Sequence, residues 1–550
     1  MLFQTFDFLL FAIPVIVGFW LLAGRPFART LFLLAASYFF YMAGPKTEPP
    51  PAPWYFVGLL VFSTFLDFHC GKAIHALEVN AEDDDERVAA PARRRRNLWL
   101  TLSLVGNLGL LAYFKYVNFF VQAFADVAGT LGFSVATFRL DVILPLGISF
   151  YTFQSLSYTL DVWRGRLEPE RSLTRFALFV AFFPQLVAGP IVRASQFLPQ
   201  LHAGPKLTRD NIETGAFRMV KGLVKKVVLG DWIAASLTDR IFDSPDTFTS
   251  PELMVALYAY TLQIYADFSG YSDMAIGLGR MLGFQLPENF DRPYQSRDIA
   301  EYWRRWHITL SSWLRDYLFF QLLARLGSRA GYFVVWLTMF LVGMWHGASW
   351  NFVIYSNIHA FGMVFNRWNR TRDRQASWLR RLTFWPVVTA IAFGVATWLS
   401  VSVLHLPRAE SMMLSGFVVG SLLFVCVVPT SGGRAVTAVN IFVTFHLVVI
   451  ARIFFRSPDL ETSRKFVASM LSVDGLGHGI RAGLATPWVW AALTFGLAYH
   501  FTPKEWVTVK LEGLFRRMPG LLLGLAFLVL AYGLMKLAEG VPRAFIYFQF

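Results

Sequence analysis

The sequence predicts an all-α polytopic membrane protein, and three observations carry that prediction. Hydrophobic residues make up 55% of the 550 and charged residues only 16%, whereas an ordinary soluble domain carries about 25% charged residues. So little charged surface cannot cover 55 phenylalanines and 18 tryptophans in water. Stretches free of Asp, Glu, Lys and Arg recur at Asn97–Phe114, Val142–Leu160, Ala330–Asn366, Leu382–Pro407 and Ser411–Gly433, and roughly 18 such residues cross the hydrocarbon as a helix. Finally, Lys and Arg collect between these stretches, as the positive-inside bias requires. The net charge of +14 therefore points to loops facing anionic lipid, and no separate basic domain suggests nucleic acid.

In chain order, Phe8–Gly24 is preceded by Asp7 rather than by a basic stretch, so it reads as a retained first span and not a cleaved leader. A second span near 30–44 and the Pro-rich loop Pro45–Pro53 lead to a span near 54–72. The next loop holds the acidic run Glu82–Glu86 and Arg93–Arg96, and the arginines place it in the cytoplasm. Spans near 97–122 and 142–161 return the chain to Arg164, Arg166, Arg171 and Arg175. Pro184, Gly189 and Pro190 within Phe176–Val192 predict a bent or re-entrant element. Spans near 227–241 and 253–275 fit less well in length and charge.

From Glu288 to Arg329 the chain is polar and Arg-rich, forming a cytoplasmic-side amphipathic segment over 288–329. Trp303, Trp306, Leu310, Trp313 and Tyr317 recur at steps of three and four, the signature of one helix with one aromatic face. It reads as an interfacial helix, or functionally as a lid. Ala330–Asn366 would be about 55 Å long as one straight helix, so a break is expected near Gly343 to Gly347, with His346 held away from either surface. Further spans are expected near 382–404, 411–429, 435–452, 484–501 and 519–536, and the aromatic Phe545–Phe550 suits a membrane interface. Neither a soluble domain nor an internal repeat is visible, so 1–550 reads as one membrane domain.

The chemistry-bearing candidates are few. Cys70 and Cys426 sit in apolar runs without metal-ligand spacing. Of the ten histidines, His69, His202, His359, His405, His446 and His500 read as interface or satisfied core residues. His346 differs. It lies in Trp345-His346-Gly347-Ala348-Ser349-Trp350-Asn351 at the expected break, where Gly347 and Ala348 leave room beside the ring. An ionisable group at membrane depth is a functional candidate by default, and a neutral imidazole suits a general base for a hydroxyl. His307, in the aromatic segment, is a second imidazole approaching from the cytoplasmic side. Asp267 and Asp273 stand in an apolar stretch and need partners, most simply arginines. No nucleotide-binding glycine loop, zinc motif or nucleophile elbow occurs.

Several segments together resemble the membrane-bound O-acyltransferase family, in its alginate O-acetyltransferase-like branch. They are Leu144–Gln154, Phe182–Ile191, Asp267–Gly277, Leu286-Pro287-Glu288-Asn289-Phe290, Trp303–Tyr317 and Trp345-His346-Gly347-Ala348. The resemblance is strong over 140–365, which it marks as the catalytic core. It implies a bundle of about 11 or more transmembrane helices, with re-entrant and interfacial helices, around a central tunnel. The family's two histidines fall on His307 and His346. After Tyr317 the sequence departs from the family, with Phe319-Phe320-Gln321-Leu322-Leu323 in a loop that helps shape the donor entrance.

The resulting expectation is a multi-pass enzyme of the bacterial inner membrane with no tightly bound cofactor. It passes acetyl from a cytosolic thioester, acetyl-CoA, to a hydroxyl of an exported polysaccharide or of a periplasmic SGNH-type partner. His346 serves as base and His307 polarises the thioester or positions the acceptor. Arg304, Arg305 and Arg315 bind coenzyme A phosphates or anionic headgroups, and Ser349 and Asn351 donate to the developing oxyanion. The rival readings are D-alanyl or lipid acyl transfer by the same fold, and a transporter that moves an acyl or glycan carrier without making bonds.

Overall fold

The computed structural model describes residues 1–44, 54–78, 85–371, 433–472, 479–481 and 483–539, with positions 394, 397, 401 and 415 between them. Outside the described residues lie Pro45–Pro53, Glu82–Asp84, residues 372–381, His405, Cys426 and Phe545–Phe550, together with all but those four positions of the spans expected near 382–404 and 411–429.

Among the described residues the fold is helical, with one isolated antiparallel bridge between Phe290 and Trp306. The chain begins with α1 (Phe6–Leu21), α2 (Pro26–Met42), α3 (Val57–Ala76), α4 (Glu86–Leu111) and α5 (Val117–Thr130). It continues through α6 (Ile148–Trp163), α7 (Leu173–Ala181), α8 (Phe183–Leu186), α9 (Ala194–Ala203), α10 (Arg209–Val224), α11 (Asp239–Asp243) and α12 (Ser250–Met281). Three short helices, α13 (Ile299–Arg305), α14 (Ile308–Leu314) and α15 (Phe320–Leu326), precede the longer α16 (Gly331–His346) and α17 (Trp350–Thr371). Last come α18 (Arg434–Arg456), α19 (Leu460–Leu471), α20 (Pro487–Phe501), α21 (Lys510–Arg516) and α22 (Gly520–Glu539).

Among the described residues three helical stretches, Trp54–Ala76, Arg87–Gly129 and Arg434–Arg456, are long and apolar enough to cross a bilayer; α1 and Gly520–Leu534 are shorter apolar helices. Leucines such as Leu21 and Leu521 are about 80% exposed (81% and 80%). In water a continuous outward face of this kind would be a liability; against lipid it is an ordinary solvent contact. The chain is an all-α membrane protein.

Local structure follows the sequence with instructive departures. Arg93–Arg96 lie inside α4 rather than in a loop, because Asp85 caps that helix by accepting from the Arg87 amide at 2.9 Å and the intervening alanines favour helix. Phe176–Val192 is bent as its prolines predict: α7 stops at Ala181, α8 is one turn, and the stretch is buried. The single aromatic helix expected over Trp303–Tyr317 is not formed. α13 ends at Arg305, Trp306 is extended, His307 adopts φ 44°, α14 follows, and Arg315–Phe319 is a π-helical turn. The aromatic face is buried rather than interfacial, with Trp306 and Leu310 fully covered. The segment after Tyr317 is likewise helical, not a loop.

The chain forms two compact units. The first comprises residues 1–227, 268–288 and 509–550. Within it, glycines let α10 and the C-terminal part of α12 touch backbone to backbone. A Cβ on Gly215 would stand 2.7 Å from the Gly277 carbonyl oxygen, and one on Gly222 2.5 Å from that of Gly270. Small residues at such crossings replace the hydrophobic driving force that lipid removes. Between these contacts Asp273 accepts from Arg218 Nε at 3.0 Å and lies 3.2 Å and 2.7 Å from the ammonium groups of Lys221 and Lys225. The expected ion pairing of this carboxylate is present, with two lysines beside the arginine. Elsewhere in the unit α3 carries a fully buried Asp67, whose carboxylate accepts from Ser103 at 2.5 Å and Asn107 at 3.0 Å on α4. The second unit comprises 228–267 and 289–508 and holds both candidate histidines.

Candidate active site

The site is built where three helices of the second unit end or bend. The helix break foreseen in Ala330–Asn366 is present: α16 terminates at His346, Gly347 is extended, and α17 begins at Trp350. The two helices pack against each other, and Gly343 makes this possible, since a Cβ there would collide with Ser356 Oγ and lie 2.7 Å from Ser356 Cα. His346 is 1% exposed. Its ring centre stands 5.1 Å from Trp345, 5.3 Å from Phe455 and 6.1 Å from Tyr355. The room expected beside Gly347 is filled by the chain itself, because a Cβ there would collide with the Phe352 ring.

His307 is held by a remote segment. Asn289 Oδ1 accepts from His307 Nδ1 at 3.0 Å, from the Thr309 hydroxyl at 2.9 Å and from the Thr309 amide at 3.3 Å, while the Asn289 carbonyl accepts from the Ile308 amide at 2.9 Å. An amide oxygen can only accept, so Nδ1 carries the proton and the lone pair belongs to Nε2. These bonds sustain the positive φ of His307, an uncommon conformation for a non-glycine residue. His307 lies 5.5 Å from Trp345 in an edge-on contact, so the two predicted histidines flank one indole. Asn289→Ala is expected to destabilise the protein by about 1–3 kcal/mol, the cost of stranding buried donors. Thermal unfolding in detergent measures it.

Two residues beyond the sequence reading join this cluster. His359, expected to be satisfied by packing, is 1% exposed, and neither ring nitrogen meets a hydrogen-bond partner among the described residues. It is enclosed by Tyr355 at 4.6 Å, Trp303 at 5.2 Å and Tyr302 at 6.1 Å. Arg452 of α18 is fully buried and donates to the Tyr302 hydroxyl at 2.9 Å. Of the other described histidines, His500, expected near an interface, is buried, and His69, expected inside the bundle, is exposed. His446 meets the Tyr258 hydroxyl at 2.8 Å, His202 meets Glu170 at 2.7 Å, and His500 Nε2 accepts from the Tyr294 amide at 3.2 Å.

A cavity of about 600 Å³ lies beside the cluster, lined among others by Trp303, Phe319, Thr338 and Val342. Val342 is one helical turn before His346, which does not itself line the cavity. Arg304 and Arg315 border it, Arg315 being also bonded to Asp316 at 2.8 Å, and Arg367 joins them. Arg305 does not: it is bound to Glu301 at 2.7 Å. Asn351 is also committed elsewhere. Its amide donates to the carbonyls of Ser457 at 3.0 Å and Asp459 at 2.9 Å and accepts from Ser463 at 3.1 Å, which fixes the corner between α18 and α19. Ser349 accepts the Val353 amide through its carbonyl at 3.1 Å, capping α17.

The membrane-bound O-acyltransferase family profile matches residues 166–406, which include both candidate histidines but not Arg452. The chain is 40% identical over 370 residues to a probable alginate O-acetylase of Pseudomonas aeruginosa, covering 67% of this chain and 66% of that protein. It is 35% identical over 401 residues to a peptidoglycan O-acetyltransferase of Helicobacter pylori, covering 67% and 70%. A teichoic acid D-alanyltransferase of Bacillus subtilis is 30% identical over 249 residues, covering 42% and 62%. Ordered helices, a buried histidine at a helix break and these similarities agree: the chain belongs to the membrane-bound O-acyltransferase family, on its alginate O-acetylase-like side, and is an O-acyltransferase by that membership.

Proposed function

We propose that this protein is an O-acetyltransferase of the bacterial inner membrane. It transfers acetyl from cytosolic acetyl-CoA to a hydroxyl of an exported polysaccharide or of a periplasmic SGNH-type partner, within a bundle of eleven or more spans around a tunnel. The single observation that carries the reading is His346, buried at the junction of α16 and α17 with His307 across the Trp345 indole. His346 accepts the proton of the attacking hydroxyl, and His307, presenting Nε2, positions the acceptor. The cavity bordered by Arg304, Arg315 and Arg367 supports a donor carrying phosphates, since guanidinium groups match them in shape and charge.

The acetylase named among the relatives acts on alginate and the second on peptidoglycan, which favours acetyl over D-alanyl as the cargo. The deciding experiment supplies acetyl-CoA to the cytosolic face of vesicles containing the purified protein, with an alginate oligosaccharide inside. Release of free thiol coupled to acetylation of the oligosaccharide is expected. Uptake of the intact thioester without cleavage would make the protein a transporter and end the enzyme reading.

A further inference from the structure

Arg452 has no exposed surface. Beyond its bond to Tyr302, its guanidinium carbon stands 4.7 Å from the centre of the Trp306 ring and 5.3 Å from that of Phe455. Among the described residues Nε and Nη1 make no close hydrogen bond, and the Tyr294 and Tyr355 hydroxyls are the looser neighbours of the guanidinium. The phenols of Tyr302, Tyr355, Tyr294 and Tyr260 surround it electrostatically, and none of these is a counter-ion at neutral pH. One turn further along α18, Arg456 shows the usual solution, a bond to Asp239 at 2.8 Å. A buried ion without a partner opposes folding, and aromatic faces compensate only in part. Among the described residues no carboxylate neutralises Arg452, so the packing described around it does not by itself favour the charge.

The place is not arbitrary. Phe455 lies 5.3 Å from the His346 ring and 5.3 Å from the Arg452 guanidinium, so both groups lie against one side chain, with Tyr355 and His359 alongside. We propose that Arg452 is a catalytic residue that binds the oxyanion formed during acyl transfer at His346, an assignment that rests on the acyl-transfer reading above. As the acceptor oxygen bonds to the acyl carbon, its proton passes to His346 and the carbonyl π pair moves onto the carbonyl oxygen. The N–H groups on Nε and Nη1 donate to that oxygen. Collapse restores the carbonyl and breaks the carbon–sulfur bond, and the proton on His346 passes to the departing sulfur. A cation fixed in a water-poor site before the charge develops is the arrangement that electrostatic catalysis requires.

Arg452→Met and Arg452→Lys test the assignment beside wild type and His346→Ala, using acetyl-CoA with an alginate oligosaccharide. Arg452→Met is expected to lower kcat by about a hundredfold or more, with the donor KM unchanged, while raising the thermal unfolding midpoint, because an apolar chain of similar volume replaces an unneutralised ion. Arg452→Lys keeps the charge and recovers part of kcat. Unchanged kcat, an effect confined to KM, or lost activity with a lowered midpoint or failure to accumulate would each overturn the proposal. If His346→Ala is inactive while Arg452→Met is active, only the arginine's role falls; if His346→Ala matches an active wild type, the mechanism centred on His346 falls with it; and if wild type itself transfers no acetyl, the acyl-transfer reading falls.

Discussion

Replacing His346 by alanine is expected to lower acyl transfer by about a hundredfold to ten-thousandfold, the range typical of losing a general base, while the protein still inserts and accumulates. The two halves of that expectation have separate causes. The ring is enclosed by Trp345, Tyr355 and Phe455, so removing it leaves a small apolar gap rather than a broken scaffold. The break between α16 and α17 is set by Gly347-Ala348-Ser349 and by the Asn351 amide, which holds the carbonyls of Ser457 and Asp459; none of these depends on the imidazole. Activity and stability should therefore separate. Acetyl transfer from labelled acetyl-CoA, read beside the amount of protein in the membrane, checks both, and retained transfer would remove the histidine from the mechanism.

Gly343→Val is expected to act in the opposite way, through the fold. The added Cβ alone would stand 2.7 Å from Ser356 Cα, and a backbone atom cannot swing aside as a side-chain tip can. α16 and α17 must then separate, which costs on the order of 3 kcal/mol or more, at or beyond the upper end of overpacking penalties. Because His346 ends α16 and Tyr355 and His359 sit on α17, separation also pulls the cluster apart. The expected readout is a lowered unfolding midpoint and poor accumulation. Gly343→Ala should show a smaller loss of the same kind, and a Gly343→Val protein as stable as wild type would contradict the close approach.

Much of this arrangement was legible in the sequence. The break before Trp350 followed from length alone, since a charge-free stretch too long for one straight crossing has to bend, and glycines marked where. The bent Phe176–Val192 segment was readable from its prolines for the same reason. What escaped was non-local. The period of Trp303, Trp306, Leu310, Trp313 and Tyr317 is that of one helix, yet Asn289 reaches in from outside the segment and fixes His307 in a left-handed turn, which divides it. Periodicity reports which side chains face inward and carries no record of such a restraint. Arg304, Arg305 and Arg315 look alike in sequence, but Glu301, one turn before Arg305, draws that one away from the cavity, while Arg315 pairs with its neighbour Asp316 and still borders it. Arg452 falls at the end of the span expected near 435–452. The signal that it lies inside was the Ile453-Phe454-Phe455 run beyond it, which continues the apolar stretch past the charge.

The glycine contacts of α10 and α12 carry a mechanical implication. With Gly215 set against Gly277 and Gly222 against Gly270 at main-chain distance, sliding either rod lengthwise by a single turn would drive bulkier neighbours such as Met219 or Met274 into spaces sized for hydrogen atoms. Piston motion between these two segments is thus blocked in both directions. Whatever displacement accompanies turnover must carry the pair as one lever, with Asp273 and its three cations riding inside it.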